Sequence, residues 1–471
     1  MTVLHGIDAR SGERLDDPVP ASSGEQVREA CAAAEDAAAA LARLPAAARA
    51  RLLEQVAEAL DEAGPGLVAL ADTETALGSG PLTAELTRAT NQLRLLATEV
   101  QREDFAAPRW EEGAFARMLS PVGPVAVYAA SNFPFALSVA GSDTAAALAA
   151  GCPVVVKAHP GHPLTSRRTG EVAGAALRDA GAPDGTFAVL HGMEAGTALI
   201  RDPRIRAAAF TGSRAGGRAL FDAAAARPDP IPFYGELGSV NPVFVTEAAV
   251  RARGEELVQG YLTSLTRYHG QLCTNPGVLL LPSGHGLTEP LRKAVGGAEP
   301  APMLNARILE NYRAGLERLS RSAAGLAAVP DGPHLFTTTA AEFRARPELA
   351  EECFGPAGLV VEYASRDEAL ELARDLPGSL TATLHAEEGD PEDETFAREL
   401  LPVLTRRAGR VVWNGWPTGV AVNRTMHHGG PWPATTGAQF TSIGTESVRR
   451  FQVPVVYQGV PERLLPGPLR R

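Results

Sequence analysis

From Gln26 to Thr90 apolar residues recur at helical spacing among Ala, Glu and Arg, as in Ala50-Arg51-Leu52-Leu53-Glu54-Gln55-Val56-Ala57-Glu58-Ala59-Leu60, which predicts amphipathic helices. Ala63-Gly64-Pro65-Gly66 interrupts them. Beyond a charged and aromatic stretch around Trp110, which predicts an extended arm, short apolar runs alternate with Ala-rich helical ones. The runs are Val125–Tyr128, Val154–Val156, Phe187–Leu190 and Ala207–Phe210. Strand, helix, strand at this spacing predicts a parallel sheet covered on both faces, and such sheets bind nucleotides at their carboxyl edges. A second alternation passes through Asn241–Val245, Gly277–Leu281, Gly358–Glu362 and Arg410–Asn414, predicting a second α/β domain. Phe451–Tyr457 reads as a strand; alone it needs a partner, and another subunit is one source. The proline-rich end beyond it cannot continue as a helix.

Composition narrows the class. With 45% hydrophobic and 21% charged residues over 471 positions, the chain buries a large core in two or three domains and is not disordered. No stretch approaches about 18 uninterrupted apolar residues, and Met1–Gly6 lacks a basic segment followed by an apolar one, so no membrane and a cytoplasmic location are expected. A formal charge of −11 argues against nucleic acid, because phosphate binding needs a basic face. Arg pairs such as Arg449-Arg450 read as solvated faces. The four cysteines, Cys31, Cys152, Cys273 and Cys353, are far apart without a CxxC, so neither a zinc site nor a disulfide framework is expected. Cys31, in an Ala-rich helix, and Cys152, opening a Val run, read as core fillers.

Two segments carry candidate chemistry: Gly270-Gln271-Leu272-Cys273-Thr274-Asn275-Pro276-Gly277 and Gly235-Glu236-Leu237-Gly238-Ser239-Val240-Asn241-Pro242. A thiol among small, turn-forming residues is open to a small molecule; its thiolate is the nucleophile, so dipoles or cations that lower its pKa are expected beside it. A carboxylate among Ile231, Pro232, Phe233 and Leu237 is placed to act as a base, its pKa raised by burial. Plainer readings stand beside these: Cys273 as a structural thiol, Glu236 as a helix cap or surface carboxylate. Asn132, in the loop after the strand at 125–128, either donates to an oxyanion or makes a turn. Lys157 either meets the ribose hydroxyls of a cofactor or is solvated at a strand end. Phe210–Gly217 lies between a strand and a helix predicted from Arg218, where free amides and the helix dipole favour phosphate.

In order along the chain, SNFPF at 131–135, VVVKAHP at 154–160, FTGS at 210–213, GELGSVNP at 235–242, GQLCTNPG at 270–277 and EECFGP at 351–356 resemble the motifs of the aldehyde dehydrogenase superfamily, from about residue 10 to the end. The resemblance implies two α/β domains, a Rossmann-like cofactor domain and a catalytic domain, plus a small oligomerisation β-arm. The expected limits are 1–101 and 121–234 for the NAD(P)-binding domain, 235–445 for the catalytic domain, and 102–120 with 446–471 for the arm and tail. It also implies roles: Cys273 as nucleophile, Asn132 and the Cys273 amide as oxyanion hole, and Glu236 as the base that brings water to a thioester. Lys157, His159, Gly212, Ser213, Glu352 and Phe354 would hold the cofactor, Glu352 at the nicotinamide ribose. Arg88, Phe135 and His269 would meet the substrate. A homodimer or homotetramer without a metal, acting on a small-molecule aldehyde, completes the expectation.

Further segments, KAHPGHP at 157–163, GSLTATLH at 378–385, PTGVAV at 417–422, HHGGPWPATT at 427–436 and RFQVPVVYQGVPERLLP at 450–466, resemble the 2,5-dioxovalerate (α-ketoglutaric semialdehyde) dehydrogenase branch. A related branch oxidises fatty aldehydes with NADP. The first substrate has a distal carboxylate that wants an Arg, the second an apolar funnel. Leu77–Leu82 lacks the Arg-Leu pair of the branch, and Arg88 is the nearby substitute. Pro160 stands where NAD-specific members place a carboxylate against the ribose, so nothing repels a 2′-phosphate and NADP is favoured over NAD. Glu194 occupies the place of a basic phosphate partner, leaving His159 and His162 as alternative contacts and dual specificity open. A CoA-acylating relative and a non-catalytic binding descendant are the competing readings. Glu236 argues against the first, and the intact set Cys273, Glu236 and Asn132 against the second.

Overall fold

The computed structural model describes residues 2–112 and 114–470. Met1, Gly113 and Arg471, which fall within the expected domain limits, lie outside the described residues. The first alternation forms a five-stranded, all-parallel sheet in the order Phe187–Leu190, Val154–Lys157, Val125–Tyr128, Ala207–Thr211, Phe233–Glu236. Every residue of Val125–Tyr128 and Val154–Lys157 is buried, as expected of strands covered on both faces. Ser142–Ala150, the helix between them, is buried along its whole length; its small Ala side chains let it fit beneath the outer helices. Ala46–Glu62 and Gly64–Thr75 meet at the predicted interruption. The helix after Ala207–Thr211 starts at Arg214, not Arg218, because Ser213 caps it by accepting from Gly216 N.

The second sheet has seven strands, ordered Ala324–Ala328, His334–Thr339, Ala357–Tyr363, Val278–Pro282, Val243–Val245, Ser379–His385, Ala408–Trp413. All neighbours are parallel except the first pair. Ser379–His385 is absent from the runs read from the sequence, since Thr residues interrupt its apolar positions. They are buried, and Thr381 bonds Asn241 Oδ1 instead of water. The helix before the nucleophile segment spans Glu247–Thr266, with Thr246 capping it by accepting from Ala249 N.

Two expectations are corrected. Gln452–Gln458 finds its partner within the chain, pairing antiparallel with Phe115–Pro121, which in turn pairs with Arg109–Glu111. Its other edge is unpaired among the described residues, with Val453 and Val456 exposed. Arg450 is not a solvated charge: it is buried, 2.7 Å from Asp143 in the first turn of Ser142–Ala150. Arg449 donates to Phe105 O at 2.8 Å. Among the described residues no helix is long and apolar enough to cross a membrane.

The Arg450–Asp143 pair fastens the returning C-terminal segment to the core of the first layer. Removing one partner of a buried ion pair leaves the other uncompensated, at a cost of about 3–5 kcal/mol. Arg450→Ala is therefore expected to lower the urea midpoint substantially. A midpoint equal to that of the parent protein would contradict this role.

Candidate active site

The nucleophile segment leaves Glu247–Thr266 through a turn that ordinary side chains rarely adopt. Tyr268 and His269 both sit in the left-handed region, at φ 51° and 56°, and Gly270 follows at +71°. A Cβ on Gly270 would stand 2.3 Å from Pro356 N, so only glycine lets the segment pass the backbone of 355–356. Such strain persists only where neighbours over-determine the conformation, and here they do. Buried Asn241 donates through Nδ2 to Cys273 O at 2.8 Å and Asn275 O at 2.9 Å, while its Oδ1 accepts from Ser239 Oγ at 2.7 Å. Asn275 in turn donates to Gly355 O at 3.0 Å. Cys273 is left half-buried in a fixed loop.

Asn132 reaches this loop from the end of Val125–Tyr128. It is buried and donates to Gln271 O at 3.0 Å, a contact across 139 positions and not a local turn. Its own loop is held by Glu85, whose Oε1 accepts from both Phe135 N and Ala136 N at 2.8 Å. Glu85 Oε2 is buried without a partner among the described residues, and burial pushes this carboxyl up to about 7.

Glu236 ends the edge strand Phe233–Glu236 and is buried, which removes the cap and surface readings. Facing it is His428, a residue that the hydrophobic pattern gave no reason to select although it stands in the HHGGPWPATT segment. His428 is buried, its Nε2 3.1 Å from Glu236 Oε1 and 3.4 Å from Cys273 Sγ. Ser442 Oγ donates to the other Glu236 oxygen, and the His428 carbonyl accepts from Ser442 N at 3.0 Å.

This arrangement reverses both expected pKa shifts. Burial alone would raise Glu236, but the His428 ring and the Ser442 hydroxyl together hold the carboxyl below its usual value. Burial and the adjoining Glu236 charge instead push the Cys273 thiol well above its usual value, with Arg88 acting in the opposite sense. At rest, then, the proton sits on sulfur and the carboxylate is charged.

Of the expected cofactor residues, Lys157, His159, Gly212 and Ser213 lie at the carboxyl ends of first-sheet strands, and Glu352 and Phe354 precede a strand of the second sheet. Lys157 is buried, not solvated; its Nζ lies 3.7 Å from Met193 Sδ, and burial pushes it down to about 8. His159 accepts from Gly161 N at 3.0 Å. His162 is not available as an alternative contact, since it is fully buried between Ala130 O and Ser166 Oγ. Gly212 N donates to Glu236 O at 3.1 Å, and Ser213 is exposed at its helix cap. Glu352 lies against Gly238 and Ser239, accepting from Ser239 N at 3.3 Å, and a Cβ on Gly238 would collide with its carboxylate. Burial raises Glu352 to about 7. Phe354 is half-buried and lines a small cavity with Ser239, Leu272 and Glu352.

Arg88, whose charge reaches Cys273, holds its guanidinium 5.5 Å above the Phe133 ring and has no ion pair among the described residues. Tyr268 lies 5.4 Å from the same ring. Phe135, expected to meet the substrate, is packed in the core with 1% exposure, and Phe133 belongs to the same buried cluster. His269 is turned to Pro302 O, at 2.8 Å through Nδ1.

Residues 9–295 match the model of the aldehyde dehydrogenase family. The chain is 42% identical to alpha-ketoglutaric semialdehyde dehydrogenase 2 of Azospirillum brasilense, over 99% of this chain and 93% of that one. It is 40% identical to alpha-ketoglutaric semialdehyde dehydrogenase of Acinetobacter baylyi, over 90% and 84%. Among solved structures, 1-pyrroline-5-carboxylate dehydrogenase from Thermus with bound NAD superposes with a TM-score of 0.83 at 22% identity, over 97% of this chain and 90% of that one. An NAD+ complex of aldehyde dehydrogenase from Bacillus cereus gives 0.82 at 21%, over 97% and 93%. These structures share the fold.

Glu85 supplies a test of how the Asn132 loop is held. Its folded-state pKa is raised from 4.5 to about 7, so its contribution to stability is complete below about 4.5 and is lost as pH rises to about 7. Glu85→Gln keeps a carbonyl oxygen for both amides and cannot ionise. The melting temperature of the parent relative to Glu85→Gln is expected to fall across that interval and level off above it. A difference independent of pH would contradict the assignment.

Proposed function

The chain belongs to the aldehyde dehydrogenase family and is an oxidoreductase acting on aldehydes, and from that premise we propose that it oxidises 2,5-dioxovalerate (α-ketoglutaric semialdehyde) to the dicarboxylate, with Cys273, Glu236 and Asn132 at the reacting carbon. The observation that carries the reading is the contact of His428 Nε2 with both Cys273 Sγ and Glu236 Oε1. It joins a half-buried nucleophile to a buried base.

In this reading the aldehyde carbon enters beside Cys273. As sulfur attacks, its proton passes to His428, whose cationic form is stabilised by the Glu236 carboxylate 3.1 Å away. The new oxyanion receives the Asn132 amide and the Cys273 backbone N–H. NAD(P)+, when bound, supplies the hydride acceptor that turns the hemithioacetal into a thioester. Glu236 then takes a proton from water as the water oxygen attacks the thioester carbon; Cys273 leaves as the thiol with the proton that His428 returns, and the product acid gives its proton to solvent to become the carboxylate. Ser442 keeps the carboxylate turned toward the sulfur. Arg88, unpaired and set over Phe133, is positioned for the distal carboxylate of the substrate, in keeping with the names of the relatives at 42% and 40% identity.

The chain's residues fit the cofactor. Among the described residues Lys157 is a buried ammonium without an acidic partner and the Asn305 amide nitrogen beside Gly161 is buried and unsatisfied, while Ser213 opens a helix at the carboxyl edge of a parallel sheet. Lys157, His159, Gly212 and Ser213 would hold its adenosine and pyrophosphate, and Glu352 and Phe354 its nicotinamide half. Pro160 supports NADP over NAD, since no carboxylate faces the 2′ position from there. The division at 1–101 with 121–234, 235–445, and 102–120 with 446–471 belongs to the same proposal, although Gly235 and Glu236 still pair with the first sheet. The unpaired edge of Gln452–Gln458, with Val453 and Val456 exposed, supports a homodimer or homotetramer, and the reading places it in the cytoplasm.

Cys273→Ala is expected to form no NADPH. Glu236→Ala should keep a first-turnover burst while steady turnover drops roughly 10²–10⁴-fold; undiminished steady hydrolysis would refute the base. Arg88→Ala should raise KM for 2,5-dioxovalerate roughly 10–100-fold and leave medium-chain aldehydes unchanged. Equal losses on both substrates would refute the carboxylate contact.

A further inference from the structure

Three side chains of different chemistry meet at one point of the site. His428 Nε2 lies 3.4 Å from Cys273 Sγ and 3.1 Å from Glu236 Oε1, and one donor atom from each of the three residues lies within 4.8 Å of the others. Thiolate, imidazole and carboxylate are the ordinary ligands of zinc. With bonds of about 2.0–2.3 Å, tetrahedral zinc ligands stand roughly 3.3–3.6 Å apart, and both contacts of His428 are close to that spacing.

The donors are also fixed in place. Ser442 holds the far oxygen of Glu236, Thr441 Oγ1 accepts from His428 N at 2.9 Å, and Asn241 holds the Cys273 carbonyl. The first of these contacts orients the carboxylate itself, as outer contacts do for a ligand before a metal arrives, and the other two fix the backbone that carries the imidazole and the thiol. A thiolate and a carboxylate together carry two negative charges, matching a dication in a buried place where a mismatch is costly. Cys273 is half-buried and is the exposed member of the three, while Glu236 and His428 are buried behind it.

We infer that Cys273, Glu236 and His428 form a binding site for one zinc ion, which switches the enzyme off reversibly by occupying the nucleophile and the base together. Zinc forms bonds to Sγ, Nε2 and a carboxylate oxygen, the thiol proton passes to solvent, and no electron is transferred. Three protein ligands leave a fourth position for water. The chain gave no hint of such a site, because its donors come from three remote segments and His428 is 155 positions from Cys273. The inference rests on these being the reacting groups of the proposed function.

The test is a titration of the full-length, chelator-treated enzyme with Co2+ and then Zn2+. One equivalent of cobalt per chain is expected, with near-ultraviolet sulfur-to-metal absorption that zinc removes, and with loss of turnover that EDTA restores. Cys273→Ser should lack the absorption. His428→Ala and Glu236→Gln should each bind zinc at least about tenfold more weakly, read by competition with a chromophoric chelator. Saturation without the absorption, or variants that bind as tightly as the parent, would overturn the site. Turnover of the chelator-treated parent before metal is added reads the proposed function separately: turnover that ignores zinc contradicts the metal site alone, and no turnover with any aldehyde contradicts the function.

Discussion

The site depends on one constraint, the presence of a buried carboxylate that cannot stay charged without partners. Glu236 meets it through His428 and Ser442, both supplied by the irregular segment that crosses over the ends of the two sheets. A carboxylate stripped of water and left alone would take up a proton and lose its value as a base. With its partners it keeps the charge, and that charge in turn keeps the proton on the neighbouring thiol. The state of the nucleophile is thus set by the state of the base, and the two act as one titrating unit.

The rest of the architecture brings these groups together. Glu236 closes the edge strand of one sheet, whereas the Cys273 loop precedes Val278–Pro282, a central strand of the other. Asn241 and the left-handed turn at 268–270 aim the loop back toward the first sheet, and Asn132, braced by Glu85, meets it from there. The strain of that turn is sustained by the hydrogen bonds around it. Arg450 against Asp143 fastens the segment following Ser442, so the same C-terminal stretch supplies both a structural clamp and a polar partner for Glu236.

Much of this was legible in the chain. The Val-rich runs of the first sheet announce themselves because strands buried on both faces need unbroken apolar sequence. Cys273 and Glu236 stood out through the small and apolar residues around them. What hid was what depends on contacts between remote segments: the hydroxyl of Thr381 is buried against Asn241, and the charge of Arg450 is buried against Asp143. His428 sat in a segment quoted for its resemblance, yet nothing near it in sequence tells an imidazole facing a thiol from one on a surface. For the same reason both pKa expectations had the wrong sign, since they were drawn from local surroundings.

The central claim is that Cys273 keeps its proton at rest because it is buried and because the charged Glu236 lies beside it. The most direct measurement is the rate at which iodoacetamide alkylates Cys273 as a function of pH, with the modified peptide quantified by mass spectrometry. The account predicts a rate that keeps rising beyond 9.0, the ordinary thiol value, and a midpoint moved down in Glu236→Gln. A rate already level at neutral pH would mean a resting thiolate paired with His428, and would contradict it.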